Sequence, residues 1–153
     1  MINIRKAKAT DYDRLMAIWS SAVLATHDFL NQADFELFAT LIPTEFFPQL
    51  DVYLLERNDD IVAFFAVSDD NLEMLFVDAA CHGQGLGKIA VNYVLQRLRV
   101  HKVDVNEQNP KAIQFYLRMG YTQKGRSERD GMGKPYPLLH LEYDPELAAL
   151  DSE

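Results

Sequence analysis

Along the chain, Ile2 and Ile4 alternate with Asn3 and Arg5, the two-residue period of a half-buried strand. Leu15, Ile18, Trp19, Ala22 and Val23 then recur three and four apart and predict a helix ending near Ala25 to Asp28, with Thr10 and Asp13 as a capping-box variant at its start. Asn31 is the expected cap of a shorter second helix carrying Phe35, Phe38, Leu41 and Ile42, which Pro43 should stop. Val52–Glu56 and Ile61–Ser68 are rich in β-branched and aromatic residues around Asn58-Asp59-Asp60, which predicts a hairpin, and a strand from Leu72 to Val77 follows a second acidic turn. Beyond it the pattern becomes a crossover. A glycine run leads into a helix with Ile89, Ala90, Tyr93, Val94, Leu95 and Leu98, and Lys102–Val105 reads as a brief strand. Pro110 opens a helix that Gly120 closes, and Tyr121–Ser127 and Leu138–Tyr143 are two last strands. The predicted order is β-α-α-β-β-β-α-β-α-β-β, an α/β fold.

Composition narrows the function classes. At 153 residues, 48% of them apolar, the chain has the size of one domain with a real core, expected over residues 1–144 and followed by an acidic tail over 145–153. A net charge of −8 argues against a nucleic-acid partner held through phosphate neutralisation. The single cysteine, Cys81, makes no internal disulfide, and no apolar run is long enough for a membrane span. A cytoplasmic chain, monomer or homodimer, without membrane contact, is expected. The histidines His82, His101 and His140 lack metal-ligand spacing with Cys81, so no metal is predicted.

The chemistry concentrates in His82-Gly83-Gln84-Gly85-Leu86-Gly87-Lys88, between a predicted strand and a predicted helix. Glycines admit a ligand close to the backbone, and N–H groups at a helix N-terminus cradle anions. A nucleoside triphosphate loop needs a Ser or Thr after the lysine, and Ile89 stands there. The dinucleotide fingerprint fails too: the glycines alternate, so Lys88 occupies the place of the third one, although Asp104 lies at about the ribose-binding distance. Coenzyme A is the phosphate ligand that remains.

Leu75-Phe76-Val77, four residues, then His82-x-x-Gly85-x-Gly87 resembles the acyl-CoA site of the GNAT superfamily of N-acyltransferases. Asn109-Pro110-Lys111-Ala112-Ile113-Gln114-Phe115-Tyr116 is similar to that family's N-x-x-A-x-x-F-Y element, and Met119-Gly120-Tyr121 follows it as expected. Residues 25–30 and 133–139 resemble the bacterial YjaB-type acetyltransferases in particular. The resemblance covers essentially the whole chain and implies a GNAT-like single domain, with a mixed, mostly antiparallel twisted sheet of about seven strands and about four helices. Where the family usually carries Arg or Gln this chain has His82, and Ala79 or Ala80 replaces a common proline.

What the resemblance implies is acetyl transfer from acetyl-CoA to a primary amine, by direct attack in a ternary complex. It places Phe76, Val77, His82, Gly83, Gln84, Gly85, Leu86, Gly87, Lys88, Asn109 and Tyr116 at the cofactor, with the backbone N–H of Val77 at the thioester carbonyl. Tyr116 is then the acid that protonates the leaving thiolate; periodicity alone reads it as a core aromatic beside Phe115. Asn109 then bonds the pantetheine arm or orients the substrate, and the sequence equally supports it as the cap of the helix at Pro110, the two being compatible. Glu73, two residues from Leu75, is expected on the same strand face as Leu75 and Val77 and is one candidate base; His27 is the other. His27, Phe29, Glu73 and Tyr136 are the expected substrate-binding residues, Tyr136 on a two-proline loop serving as a lid. The acceptor, a small-molecule or peptide amine, stays open. So do two other readings: a CoA-binding regulator without turnover, and a protein-binding module on the same fold.

Overall fold

The structure, a computed structural model of the chain, describes residues 1–26 and 28–147. His27 and most of the expected acidic tail lie outside the described residues. The elements follow the predicted order: β1 (Ile2–Lys6), α1 (Tyr12–Thr26), α2 (Gln32–Leu41), β2 (Asp51–Arg57), β3 (Asp60–Val67), β4 (Asn71–Val77), α3 (Leu86–Gln96), β5 (Lys102–Asn106), α4 (Pro110–Met119), β6 (Tyr121–Ser127) and β7 (Leu138–Tyr143). The seven strands form one sheet in the order β1-β2-β3-β4-β5-β7-β6. Every neighbouring pair is antiparallel except β4 and β5.

Strand β3 shows why the sheet needs two helical layers. Its run Ile-Val-Ala-Phe-Phe-Ala-Val is apolar on both faces, as a central strand must be. Phe65 packs with β4, α3 and α4 side chains on one face, Phe64 with α1 and Phe47 on the other, and both are fully buried. Each such ring contributes roughly 1.5–3 kcal/mol of burial. The β2–β3 hairpin turns through Asn58 and Asp59 at φ 53° and 68°, a left-handed pair that Asn and Asp tolerate better than most residues.

Two element boundaries differ from expectation. The capping box ahead of α1 is built by Lys8 and Asp11, not Thr10 and Asp13: the Asp11 carboxylate accepts from the Lys8 N–H at 2.8 Å and from Arg5 at 2.9 Å, and a 3-10 turn over Ala9–Asp11 precedes the helix. Pro43 ends the α-helical bonding of α2 at Leu41 but not the helical path, which continues as a π-turn over Ile42–Phe46 with Thr44 Oγ1 donating to the Thr40 carbonyl at 2.7 Å. Among the described residues no helix is long and apolar enough to cross a membrane.

Candidate active site

The site begins where the sheet stops being a sheet. β4 and β5 pair only at Asn71–Lys102 and Leu72–Val103, and beyond these residues the parallel strands part. A strand whose edge is left unpaired must place its N–H and C=O groups elsewhere. Asp78 N–H donates to the Val62 carbonyl on the β3 side at 3.0 Å, so alternation turns the polar groups of Val77 toward the split. The Val77 carbonyl there is met by Nε2 of His82 at 3.0 Å. His82 thus fastens the start of the glycine loop to the end of β4.

Gly83 and Gly85 take φ 79° and 78°, a region disfavoured for other residues, and Gly85 is the N-cap of α3. The first N–H groups of α3 have no acceptor inside the helix and point out of its start. At Gly87 a Cβ would stand 3.3 Å from Phe115 Cζ, so the glycine lets the start of α3 lie against α4. Between these helices and the tail of β4 runs a cavity of about 880 Å³, lined among others by Phe76, Val77, Cys81, Asn109 and Tyr116. His82, Gly83, Gly85, Leu86, Gly87 and Lys88 line its outer end. Gln84 instead accepts from Arg57, which also reaches the Cys81 sulfur at 3.6 Å. Sequence reasoning missed Lys111 and Arg118, which add positive charge to the lining. Their spacing of seven on α4 puts them on one helix face with Gln114, a signal the periodicity held.

Tyr116 lies at the inner end. It is buried at 6% exposure, packs edge-on against Tyr121 with ring centroids 5.3 Å apart, and lines both the large cavity and a smaller one of about 100 Å³ inside the split. Burial pushes its phenol pKa far above the usual 10. Asn109 is confirmed as the cap of α4: its side chain accepts from Ala112 N–H at 3.2 Å while it borders both cavities.

Beyond Phe76, which lines all three cavities, a pocket of about 190 Å³ is walled by Trp19, Val23, Phe29, Phe38, Phe46 and Tyr136, with Asp130 among its polar groups. The Tyr136 ring lies 6.0 Å from that of Phe29. Its hydroxyl donates to Asp34, a 7%-exposed carboxylate in the first turn of α2, and Lys134 pairs with the same carboxylate at 3.1 Å. The Tyr136 hydroxyl, then Lys134, holds the Asp34 carboxyl below the ordinary 3.8; burial, then Asp34, pushes the Tyr136 phenol up. Asp34 had no local signal, because its partner lies 102 residues away.

Glu73 requires a correction. Pairing runs Ala66–Met74 and then Val67–Leu72, so Glu73 is the extra residue of a β-bulge. Leu72, not Glu73, joins Leu75 and Val77 in the α3–α4 core. Glu73 is exposed, accepts from Ser68 Oγ at 2.8 Å and still borders the split, with Asp104 of β5 on the same small cavity. Asp104 was weighed from the sequence only as a ribose ligand; its place between inward-facing Val103 and Val105 was the sign that it faces the other side. No group of three or more potential metal ligands occurs among the described residues.

The sequence matches the Acetyltransferase (GNAT) domain family over residues 28–134. It is 40% identical over 144 residues to the peptidyl-lysine N-acetyltransferase YjaB of Salmonella typhimurium, covering 94% of this chain and 99% of that one. The solution structure of apo-form YjaB from Escherichia coli, 36% identical, superposes with a TM-score of 0.86 over 94% of this chain and 97% of that one. The PaiA N-acetyltransferase of Thermoplasma acidophilum, solved in complex with coenzyme A, shares the fold at a TM-score of 0.71 and 13% identity, over 94% and 99% of the two chains. With a sheet that splits between β4 and β5, a glycine-capped helix beside it and a family match across most of its length, the chain belongs to the GNAT family of acetyltransferases.

Proposed function

We propose that this acetyltransferase moves the acetyl group of acetyl-CoA onto the ε-amine of protein lysines, by direct attack of the amine on the thioester. The reading is carried by two adjoining cavities that share Phe76, Asn109 and Tyr116: the large one runs from the glycine loop to Val77, and the small one inside the split is lined by two carboxylates, Glu73 and Asp104. The preference for lysine is supported by the 40%-identical relative named a peptidyl-lysine N-acetyltransferase.

The roles follow from chemistry. The N–H groups of residues 83–88 receive the pyrophosphate, with Lys88, Lys111 and Arg118 adding charge; a backbone cradle of this kind works in a chain whose net charge is −8. Val77 N–H, turned into the split, donates to the oxyanion that forms at the thioester carbon. An alkylamine of pKa about 10.4 is neutral at pH 7 about once in 2,500, a deficit near 4.6 kcal/mol, so a proton acceptor beside the attack position counts heavily. Glu73 and Asp104 are the carboxylates on the split and serve there, directly or through water. Tyr116, kept protonated by burial, gives its proton to the departing thiolate and takes one back from water in the cavity, to which the carboxylate releases the amine's proton. Phe29 and Tyr136 wall the side from which the acceptor enters.

The test is a thiol-release assay with acetyl-CoA and four amine classes: lysine peptides, peptides with only a free α-amine, polyamines and aminoglycosides. Release of CoA thiol matched by Nε-acetyl-lysine in mass spectra is the expected result. Acetyl-CoA binding without thiol release from any class would instead mark a CoA-binding regulator, and the absence of binding a protein-binding module.

A further inference from the structure

Three side chains on the half-sheet β5-β7-β6 join into a hydrogen-bonded row that neither the cradle nor Tyr116 uses. Asp104 and His140 are direct cross-strand partners, and His140 Nδ1 lies 2.7 Å from Asp104 Oδ1. On the other side of the ring, Nε2 lies 2.6 Å from Oγ of Ser127 at the end of β6. The second carboxylate oxygen of Asp104 accepts from Asn71 Nδ2 at 3.3 Å, and Asn71 belongs to the two-residue stretch where β4 and β5 still pair. The row therefore ends on the split, at a carboxylate that lines its small cavity beside Asn109 and Tyr116.

The polarity of the row is fixed by what each group can do. An ionised carboxylate only accepts, so the 2.7 Å contact puts an imidazole proton on Nδ1, and in the neutral ring Nε2 then accepts from the Ser127 hydroxyl. A free carboxylate rotates about its last bond, whereas one gripped at Oδ1 by an imidazole and at Oδ2 by an amide keeps one plane. His140 contributes no wall to any of the three cavities, so its effect on the reaction runs through Asp104.

We propose that His140 is a positioning residue for acetyl transfer: its Nδ1–H, held in that tautomer by Ser127, orients the Asp104 carboxylate toward the amine in the split. The proposal rests on the reading above, in which a carboxylate of the split takes the amine's proton. Asp104 accepts that proton as the C–N bond forms and later returns it to water in the cavity, while the imidazole keeps its own.

Variants of His140 separate orientation from bulk. Asparagine places an amide N–H close to where Nδ1 stands, glutamine reaches instead to the Nε2 position, and leucine offers no donor. With the full-length protein, a lysine peptide and acetyl-CoA, His140→Gln and His140→Leu should each lower kcat by roughly tenfold or more, with KM for the peptide and Kd for CoA unchanged. His140→Asn should stay within about threefold of wild type because it restores the donor. Ser127→Ala should cost less than His140→Leu, and thermal melts check that each variant is folded. Equal loss in all three His140 variants, or full activity in all three, would overturn the proposal, as would Asp104→Asn with wild-type kcat. A wild-type protein that releases no thiol with any amine would overturn the acetyltransferase reading and the positioning role with it.

Discussion

The two sides of the split between β4 and β5 are built from different material. On the side proposed to hold the acetyl donor the walls are a glycine loop and the first turn of α3, so the groups offered to a ligand are backbone N–H donors set by φ values near 78° at Gly83 and Gly85. On the side proposed to admit the acceptor the walls are side chains from α1, α2, β4 and the β6–β7 loop, closed by Tyr136 and Lys134 gripping Asp34. A backbone cradle survives most side-chain change around it, since its donors are carried by every residue. A side-chain pocket changes its shape with each substitution, and one family can vary the acceptor while keeping the donor.

The sharpest way to break this comparison is Gly85→Asp. No atom lies within 4 Å of a Cβ built there, so the new side chain fits without collision and its strain is confined to the positive φ. Strain of that kind costs about 1 kcal/mol, and the chain should stay folded by circular dichroism. Affinity for CoA should fall by about a hundredfold or more, near 3 kcal/mol, because a carboxylate now faces the anion at the helix start. Retained affinity by isothermal titration would mean that the phosphates lie elsewhere.

Tyr116→Phe acts at the boundary of the two sides. Turnover should drop about tenfold or more while CoA affinity stays within about threefold. The sign of the pH effect follows from burial: a phenol whose folded pKa is raised far above 10 stays protonated, so wild-type kcat should show no alkaline loss from Tyr116 up to pH 10. Equal kcat in the variant would show that the thiolate, with a thiol pKa near 8.5, leaves unaided.

Tyr136→Phe tests the side-chain side. The Asp34 carboxyl is held below its ordinary value by the Tyr136 hydroxyl first and Lys134 second, so the stabilisation is complete above about pH 4 and is lost as pH falls through the lowered folded value. Removing the hydroxyl should lower the thermal midpoint by a few degrees at pH 7 and leave the wild type and the variant closer together once the pH has fallen through that lowered value. KM for the acceptor should rise and Kd for CoA should not move. An unchanged acceptor KM would assign the clasp to stability alone.

The same division explains what could be read from the sequence. The order of all eleven α and β elements and the glycine loop are local, set by periodicities of two and 3.6 residues and by spacing along a few turns. Asn109, Pro110 and Gly120 mark the ends of α4 in the sequence and in the structure alike. The acceptor side was legible only in part: Phe29 and Tyr136 do meet, 6.0 Å apart, but Asp34 looked like one more acid in the first turn of a helix. Glu73 was misplaced for a physical reason, since one bulge residue shifts every alternation argument that crosses it. His140 carried no signal, because its meaning depends on which strands lie beside β7, and that order is not local.

The smallest effect is the most exacting for the contrast. Gln84 stands in the middle of the loop, and its side chain turns away to Arg57, on an exposed part of the surface. Hydrogen bonds between exposed polar groups contribute little once solvent competes for both partners. Gln84→Ala therefore keeps every backbone donor of the cradle and removes only a side chain that the ligand need not touch. Stability should change by less than about 0.5 kcal/mol and CoA affinity by less than about threefold. A loss of tenfold or more in a titration would show that the cradle depends on Arg57 being held by this contact. The donor side would then be a side-chain site as well, and the distinction between the two walls of the split would fail.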